Sequence, residues 1–174
     1  MKFKIIAAVI TIVAIGFAAS FVQNIYFSRE VCREGFVMPV FSPDNSEEIL
    51  NLIENTKSEI KLEVYEFSYK TLADALIDAR QRGVSVKVVL EPSVYQNSAI
   101  SDYLLNGGVE VNWASKKFHN THSKFAVFDD SIVLVGSTNW SENAMEYNRE
   151  ASVIIYSKEI SERFERIFDM DFEN

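Results

Sequence analysis

The chain has 174 residues, enough for one ordinary domain with a short accessory segment and too few for two cores of usual size. Its 48% hydrophobic and 13% aromatic residues exclude disorder as the main state, and 25 Asp and Glu against 17 Lys and Arg, a net charge of −8, exclude a basic coat that grips duplex DNA along many phosphates. A single cysteine, Cys32, excludes an intrachain disulfide and a cysteine-rich zinc module.

Residues 1–24 read as a separate object. Lys2 and Lys4 precede residues 5–22, a stretch without charge that only Thr11, Gly16 and Ser20 interrupt. As a helix rising about 1.5 Å per residue it covers roughly 27 Å, close to the hydrocarbon thickness of a bilayer. Two readings stand: an uncleaved transmembrane anchor, and a signal peptide cut near the small residues Ala18, Ala19 and Ser20. Both export the rest of the chain, with Lys2 and Lys4 left in the cytoplasm. The expected location is therefore the membrane, with one N-terminal span and the folded domain outside the cytoplasm, or a secreted or periplasmic state after cleavage. Residues 25–35 read as a linker that carries Cys32, either an inert thiol or one half of a cross-chain disulfide.

From residue 36 onward, strand-like and helix-like patterns alternate, the rhythm of a layered α/β or α+β domain over residues 36–174. Residues 36–41 predict a strand that Pro39 pushes to a sheet edge, and residues 42–46 carry turn and cap chemistry ahead of a helix over 47–56. Ile60, Leu62 and Val64 alternate with Lys61 and Glu63 in a strand predicted to run to Phe67. A helix over 72–82 stops at Gly83, a strand covers 84–90, and a short helix over 100–105 ends at Gly107 and Gly108. Strands follow at 109–113, 124–128, 132–135 and 151–156, and Ser157 caps a closing helix to about Phe168.

The chemistry is concentrated in residues 121–139. His122 and Lys124, two apart at a strand start, point to one face. After the turn at Asp129, Asp130 and Ser131 the chain returns antiparallel, so Ser137 and Asn139 approach the same end of the sheet. An ammonium, a hydroxyl and a carboxamide match the non-bridging oxygens of a phosphate, and the imidazole is left as nucleophile or general acid. Glu150, at the head of the next strand, is expected to hold the second ring nitrogen of His122. Just before this run, Lys116, Lys117 and His119 form a small basic cluster, read either as a solvated patch or as contacts to a phosphate backbone; Phe118 beside them is read as core or as a base-stacking ring. A zinc site built on His119 and His122 lacks a third natural ligand, and a hydrolase triad of Ser137, His122 and Asp129 lacks the Gly-x-Ser-x-Gly elbow.

The run His122, Lys124, Asp129, Gly136, Ser137, Asn139 resembles the His-x-Lys, Asp, Gly-Ser-x-Asn signature of the phospholipase D superfamily, and Asn148-Arg149-Glu150 looks like the downstream acidic element of its small nucleases. Weaker likeness upstream, at residues 41–43, 64–67 and 75–84, extends the resemblance over about residues 36–170. It implies a mixed sheet of about seven strands flanked by helices. It implies a metal-independent phosphodiesterase without cofactor, with His122, Lys124, Asp129, Ser137, Asn139 and Glu150 as its catalytic set. Asp129 belongs to the motif and is expected to serve structure. The family builds one site from two motifs and this chain has one, so the resemblance implies a homodimer sharing the site across a two-fold axis. Nucleic acid, as single-stranded DNA or RNA, is the expected substrate; membrane phospholipid and a silent, membrane-tethered binder of anionic lipid or nucleic acid are the alternatives.

Overall fold

The computed structural model describes residues 36–173; the expected anchor or signal segment and the linker, residues 1–35, lie outside the described residues. In chain order the elements are β1 (Phe36–Phe41), α1 (Ser46–Asn55), β2 (Glu59–Val64), α2 (Lys70–Gln81), β3 (Ser85–Leu90), α3 (Gln96–Asn106), β4 (Glu110–Trp113), β5 (Lys124–Phe128), β6 (Ile132–Gly136), β7 (Ala151–Tyr156) and α4 (Lys158–Phe172), with one π-helical turn at Asn143–Tyr147. The strands form one sheet in the order β1-β7-β6-β5-β2-β3-β4. β2, β3 and β4 run parallel, while β1, β7, β6, β5 and β2 pair antiparallel in turn. The mixed seven-stranded sheet flanked by helices is thus as expected.

Strand alternation sorts the side chains into two layers. Ile60, Leu62 and Val64 of β2, Val86, Val88 and Leu90 of β3, and Ala126 and Phe128 of β5 face α1, α2 and α3 in the larger core. Val89, Phe125, Val127 and Val133 face the other way and meet Phe164 and Phe168 of α4. The second layer also holds charge: Lys61, only 7% exposed, pairs with Glu59 at 3.3 Å and with Asp169 of α4 at 3.0 Å. Among the described residues no helix is long and apolar enough to cross a membrane.

Three boundaries differ from the sequence reading by three residues or more, and one expected cap does not form. β2 ends at Val64 rather than at Phe67, because the Phe67 N–H is taken by the buried Asn97 Oδ1 at 2.8 Å and Phe67 bridges to Trp140 outside the main ladder. Asn97 also donates to the Tyr65 and Glu91 carbonyls, both at 2.8 Å, and this polar knot lets α3 begin at Gln96, ahead of its first apolar residue. Asn45, at the cap position of α1, makes no capping bond and is buried. α4 runs four residues past Phe168, where Phe172 stacks on Phe168 with ring centroids 5.6 Å apart. Ser157 does cap α4, its Oγ accepting from the Ile160 N–H. Asp129 and Asp130 both adopt left-handed backbone at φ 49° and 53°, which aspartate tolerates, and turn β5 into β6.

Candidate active site

The β5–β6 hairpin and its neighbour β7 bring the motif together. Phe125 pairs with Val135 and Gly136 with Ser152, so the start of β5, the end of β6 and the start of β7 share one sheet end. His122 lies just ahead of β5, exposed, with Lys124 half-buried beside it. Lys124 Nζ lies 3.0 Å from His122 Nδ1 and donates to the His122 carbonyl at 2.9 Å. Burial pushes the Lys124 ammonium down in pKa, and the carboxylates of Glu150 and Glu66 act the other way. The Tyr65 ring packs on His122 at 4.2 Å between centroids and stands 5.1 Å beneath Lys124 Nζ.

Across the sheet end, Glu150 accepts from the Ser137 hydroxyl with one oxygen and from Asn148 Nδ2, at 3.0 Å, with the other. The sequence reading aims this carboxylate at the imidazole; in the folded chain its hydrogen bonds go to Ser137 and Asn148 instead, because Ser137 is tied to the β7 backbone by the Ser137 N–H to Ala151 carbonyl bond at 3.0 Å. Ser137 Oγ in turn accepts from the Ala151 N–H at 3.1 Å. Ser42, far away in sequence, donates from Oγ to the Asn148 carbonyl at 2.5 Å and accepts from the Glu150 N–H at 2.7 Å, fixing the acidic element from below. Asn139 is half-buried, and among the described residues its Oδ1 has no hydrogen-bond partner, an unused polar atom beside the site. Gly136 is glycine for a steric reason: a Cβ there would strike the Ala151 carbonyl oxygen and Ser152.

Asp129 stands apart from these groups. It follows β5 just past the strand's far end, about 16 Å along from Lys124 at roughly 3.3 Å per residue. Its carboxylate accepts from the backbone N–H groups of Lys57, Ser58 and Glu59 and from Ser58 Oγ, at 2.6 to 3.2 Å. Burial alone would raise its pKa, but these four donors outweigh it and hold the carboxyl below the usual aspartate range. The motif aspartate therefore belongs to the frame, clamping the β5–β6 turn to the head of β2, and not to the reacting end.

Lys116, Lys117 and His119 lie on the β4–β5 loop with exposed Phe118, around a recess of about 600 Å³ that Glu91, Pro92 and Ser93 close from below. Glu91 holds this loop by accepting from the Thr121 N–H at 2.8 Å, one residue before His122. A second, more apolar cavity of about 460 Å³ opens on the α4 side of the site, where Phe125, Val135, Phe164 and Ile167 meet His122 and Lys124. Among the described residues no group of three His, Cys, Asp or Glu side chains is placed to hold a metal ion, and His119 and His122 are not joined into one. Ser42, Glu63, Tyr65 and Asn97 were not legible as supports of the site, since nothing local in the sequence says which strand end their side chains reach.

A profile of the family described as "Cardiolipin synthase, PLD-like domain" matches residues 49–172, well over half of the chain. The chain belongs to this family, and with it to the phospholipase D superfamily. Among its relatives, the mitochondrial cardiolipin hydrolase of Xenopus tropicalis is 32% identical over 123 residues, which cover 70% of this chain and 58% of that protein. A phospholipase D of Rickettsia felis is 29% identical over 117 residues, again covering 58% of the relative. The chain thus spans somewhat under two thirds of these relatives. Among solved structures, the phospholipase D family member Nuc from Salmonella typhimurium superposes with a TM-score of 0.75 at 27% identity, covering 80% of this chain and 95% of that one.

Proposed function

We propose that this protein is a metal-independent phosphodiesterase that cleaves single-stranded nucleic acid through a phosphohistidine, in a site shared by two copies of the chain. The observation that carries the reading is the pairing of His122 and Lys124 at an exposed sheet end, with Ser137, Asn139 and Glu150 beside them. His122 of one copy attacks phosphorus and displaces the leaving oxygen. His122 of the second copy gives that oxygen a proton and then takes one from the water that cleaves the P–N bond, which returns both imidazoles to their starting state. Lys124 and Asn139 from both copies neutralise the phosphoryl oxygens as charge builds, with Ser137 assisting. The second copy is required because the chain's other histidine, His119, lies three residues away on the loop around the Lys116 and Lys117 recess.

Nucleic acid is favoured by the likeness to Nuc over nearly all of that chain and by the recess of Lys116, Lys117, His119 and exposed Phe118, a cationic and aromatic lining suited to single strands. Membrane phospholipid is the second reading, favoured by the apolar cavity beside His122 and by the cardiolipin hydrolases among the relatives. Residues 5–22 supply the anchor or signal in either case, with the domain outside the cytoplasm.

The test is the full-length chain assayed in parallel on single-stranded DNA, RNA, duplex DNA and anionic phospholipid vesicles. His122→Ala should lose at least about a thousandfold in turnover on every substrate. His122→Ala chains exchanged in excess into wild-type protein should drive activity per wild-type chain toward zero. Full activity of a monomer at every concentration, with no interference, would refute the shared site; cleavage of vesicles alone would move the substrate to lipid.

A further inference from the structure

The α4-facing layer contains a carboxyl group that ion pairing does not explain. Lys61 is taken by Glu59 and Asp169, and Lys87 by Glu59 at 3.6 Å. Glu63, on the same strand and face, is 2% exposed; among the described residues it pairs with no lysine or arginine, its Oε2 has no hydrogen-bond partner within bonding distance, and the Asp171 carboxyl of α4 lies beside it. Burying a carboxyl in such a place is unfavourable, and an apolar side chain would pack there at less cost to stability. What Glu63 does hold is Ser123: the Ser123 hydroxyl donates to Glu63 Oε1.

Ser123 is the residue between His122 and Lys124, and its side chain points away from theirs. Two further contacts come from Tyr65, the residue that follows β2. The Tyr65 N–H donates to the Ser123 carbonyl at 3.0 Å, and the Tyr65 ring lies against the His122 ring. Val64 is in register with Lys124 and Glu63 with Phe125. The three residues Glu63-Val64-Tyr65 thus hold His122-Ser123-Lys124 at its side chain, its backbone and its imidazole. Of the three contacts only the Glu63–Ser123 bond ties down the face turned away from substrate.

We propose that Glu63 is a positioning residue for the phosphodiesterase reaction, setting the height and angle of His122 and Lys124 through the hydroxyl of Ser123. The role rests on the reading of His122 and Lys124 as the reacting pair. A carboxylate accepts a hydroxyl more strongly than a neutral carboxyl does, so the grip on Ser123 follows the Glu63 proton. Burial, and the Asp171 carboxyl facing Glu63 from α4, push its pKa up to about 7 against the opposing pull of the Ser123 bond. The other charged groups around it are Lys61 on its own strand, Arg163 of α4 across the cavity, and His122 and Lys124 themselves; its register partners Val89 and Phe125 are apolar. Raising the pH through neutrality therefore tightens the hold on the reacting pair.

The test uses the full-length chain, bis(4-nitrophenyl) phosphate as substrate, and Ser123→Ala, Glu63→Leu, their double variant and Glu63→Gln. Ser123→Ala and Glu63→Leu should each lower kcat about tenfold with KM within about twofold, and the double variant should lose no more than either single one. Glu63→Gln, which keeps an acceptor for Ser123 but not the charge, should match wild type within about twofold at pH 5.5 and fall several-fold behind at pH 8.5. The chain has two histidines, so ring-labelled NMR reads His122 directly, with a His119→Gln chain assigning the other signal. Ser123→Ala should move the His122 ring resonance and leave that of His119 in place. Additive losses in the double variant, a Glu63→Gln profile that parallels wild type, or an unmoved His122 signal in folded Ser123→Ala would each overturn the proposal. If wild type and His122→Ala are equally inert toward phosphodiesters, it is the reaction assignment that fails, and the His122 spectra alone decide whether Glu63 positions that ring. If Glu63→Leu does not fold, Ser123→Ala and Glu63→Gln give the same decision.

Discussion

Replacing Asp129 separates the frame of the motif from its chemistry. Four donors converge on this carboxylate, and a hydrogen bond to a charged group is worth about 1.5–3 kcal/mol when the partner is lost in a dry site. Here the freed N–H groups of Lys57 and Ser58 sit at the surface and rehydrate, so the four together come to about 2 kcal/mol. Alanine also strains a backbone held at φ 49°, adding about 1 kcal/mol, whereas asparagine tolerates it. Asp129→Ala should therefore lose about 3 kcal/mol in urea unfolding, near 10 °C in Tm for a domain of this size, and Asp129→Asn about half as much. The folded pKa of Asp129 lies below its ordinary 3.8, so its contribution is present above that value and is lost as the pH falls through the folded value. The gap between wild type and Asp129→Asn should accordingly hold at pH 6 and shrink as the pH falls below 3.8 and on through the lower folded value. Turnover per folded molecule should change less than about threefold in both variants, since the residue is far from the reacting end. A stably folded Asp129→Asn chain with turnover down a hundredfold would refute the reasoning and return Asp129 to the catalytic set.

Gly136→Ala should destabilise the domain by about 3 kcal/mol or more in thermal unfolding, because the added Cβ meets β7 backbone that cannot move without parting β6 from β7. Asn97→Ala should cost about 3 kcal/mol in urea unfolding and lower kcat as well, since it frees the Phe67 N–H and the carbonyls of Tyr65 and Glu91 and loosens the Tyr65 backbone behind His122. On the proposed mechanism, in which Lys124 and Asn139 neutralise the phosphoryl charge, excess EDTA should leave turnover within about twofold; loss restored by a divalent cation would overturn the phosphohistidine route.

The elements and the motif were open to sequence reading because both are local. Alternation in Ile60 to Val64 and in Lys124 to Phe128, the stop at Gly83 with its φ of 94°, and the Ser157 cap all depend on residues within a few positions of one another. The spacing of His122, Lys124, Ser137 and Asn139 around one tight turn likewise places them at one sheet end with no knowledge of the other strands. What depended on tertiary structure was every contact made across long loops. Glu150 met Ser137 and Asn148 because Ser137 is tied to the β7 backbone and Ser42, over a hundred residues earlier, holds the Glu150 backbone. Asp129 became a clamp because β2 lies beside β5, which put the N–H groups of Lys57, Ser58 and Glu59 within reach. The same strand pairing set buried Glu63 behind Ser123, while Asn97 ended β2 early and brought Tyr65 under His122. Hydrophobic periodicity reports which face of a strand is buried, but which strand becomes its neighbour is decided by the packing of the whole sheet, and so is the partner of each polar side chain.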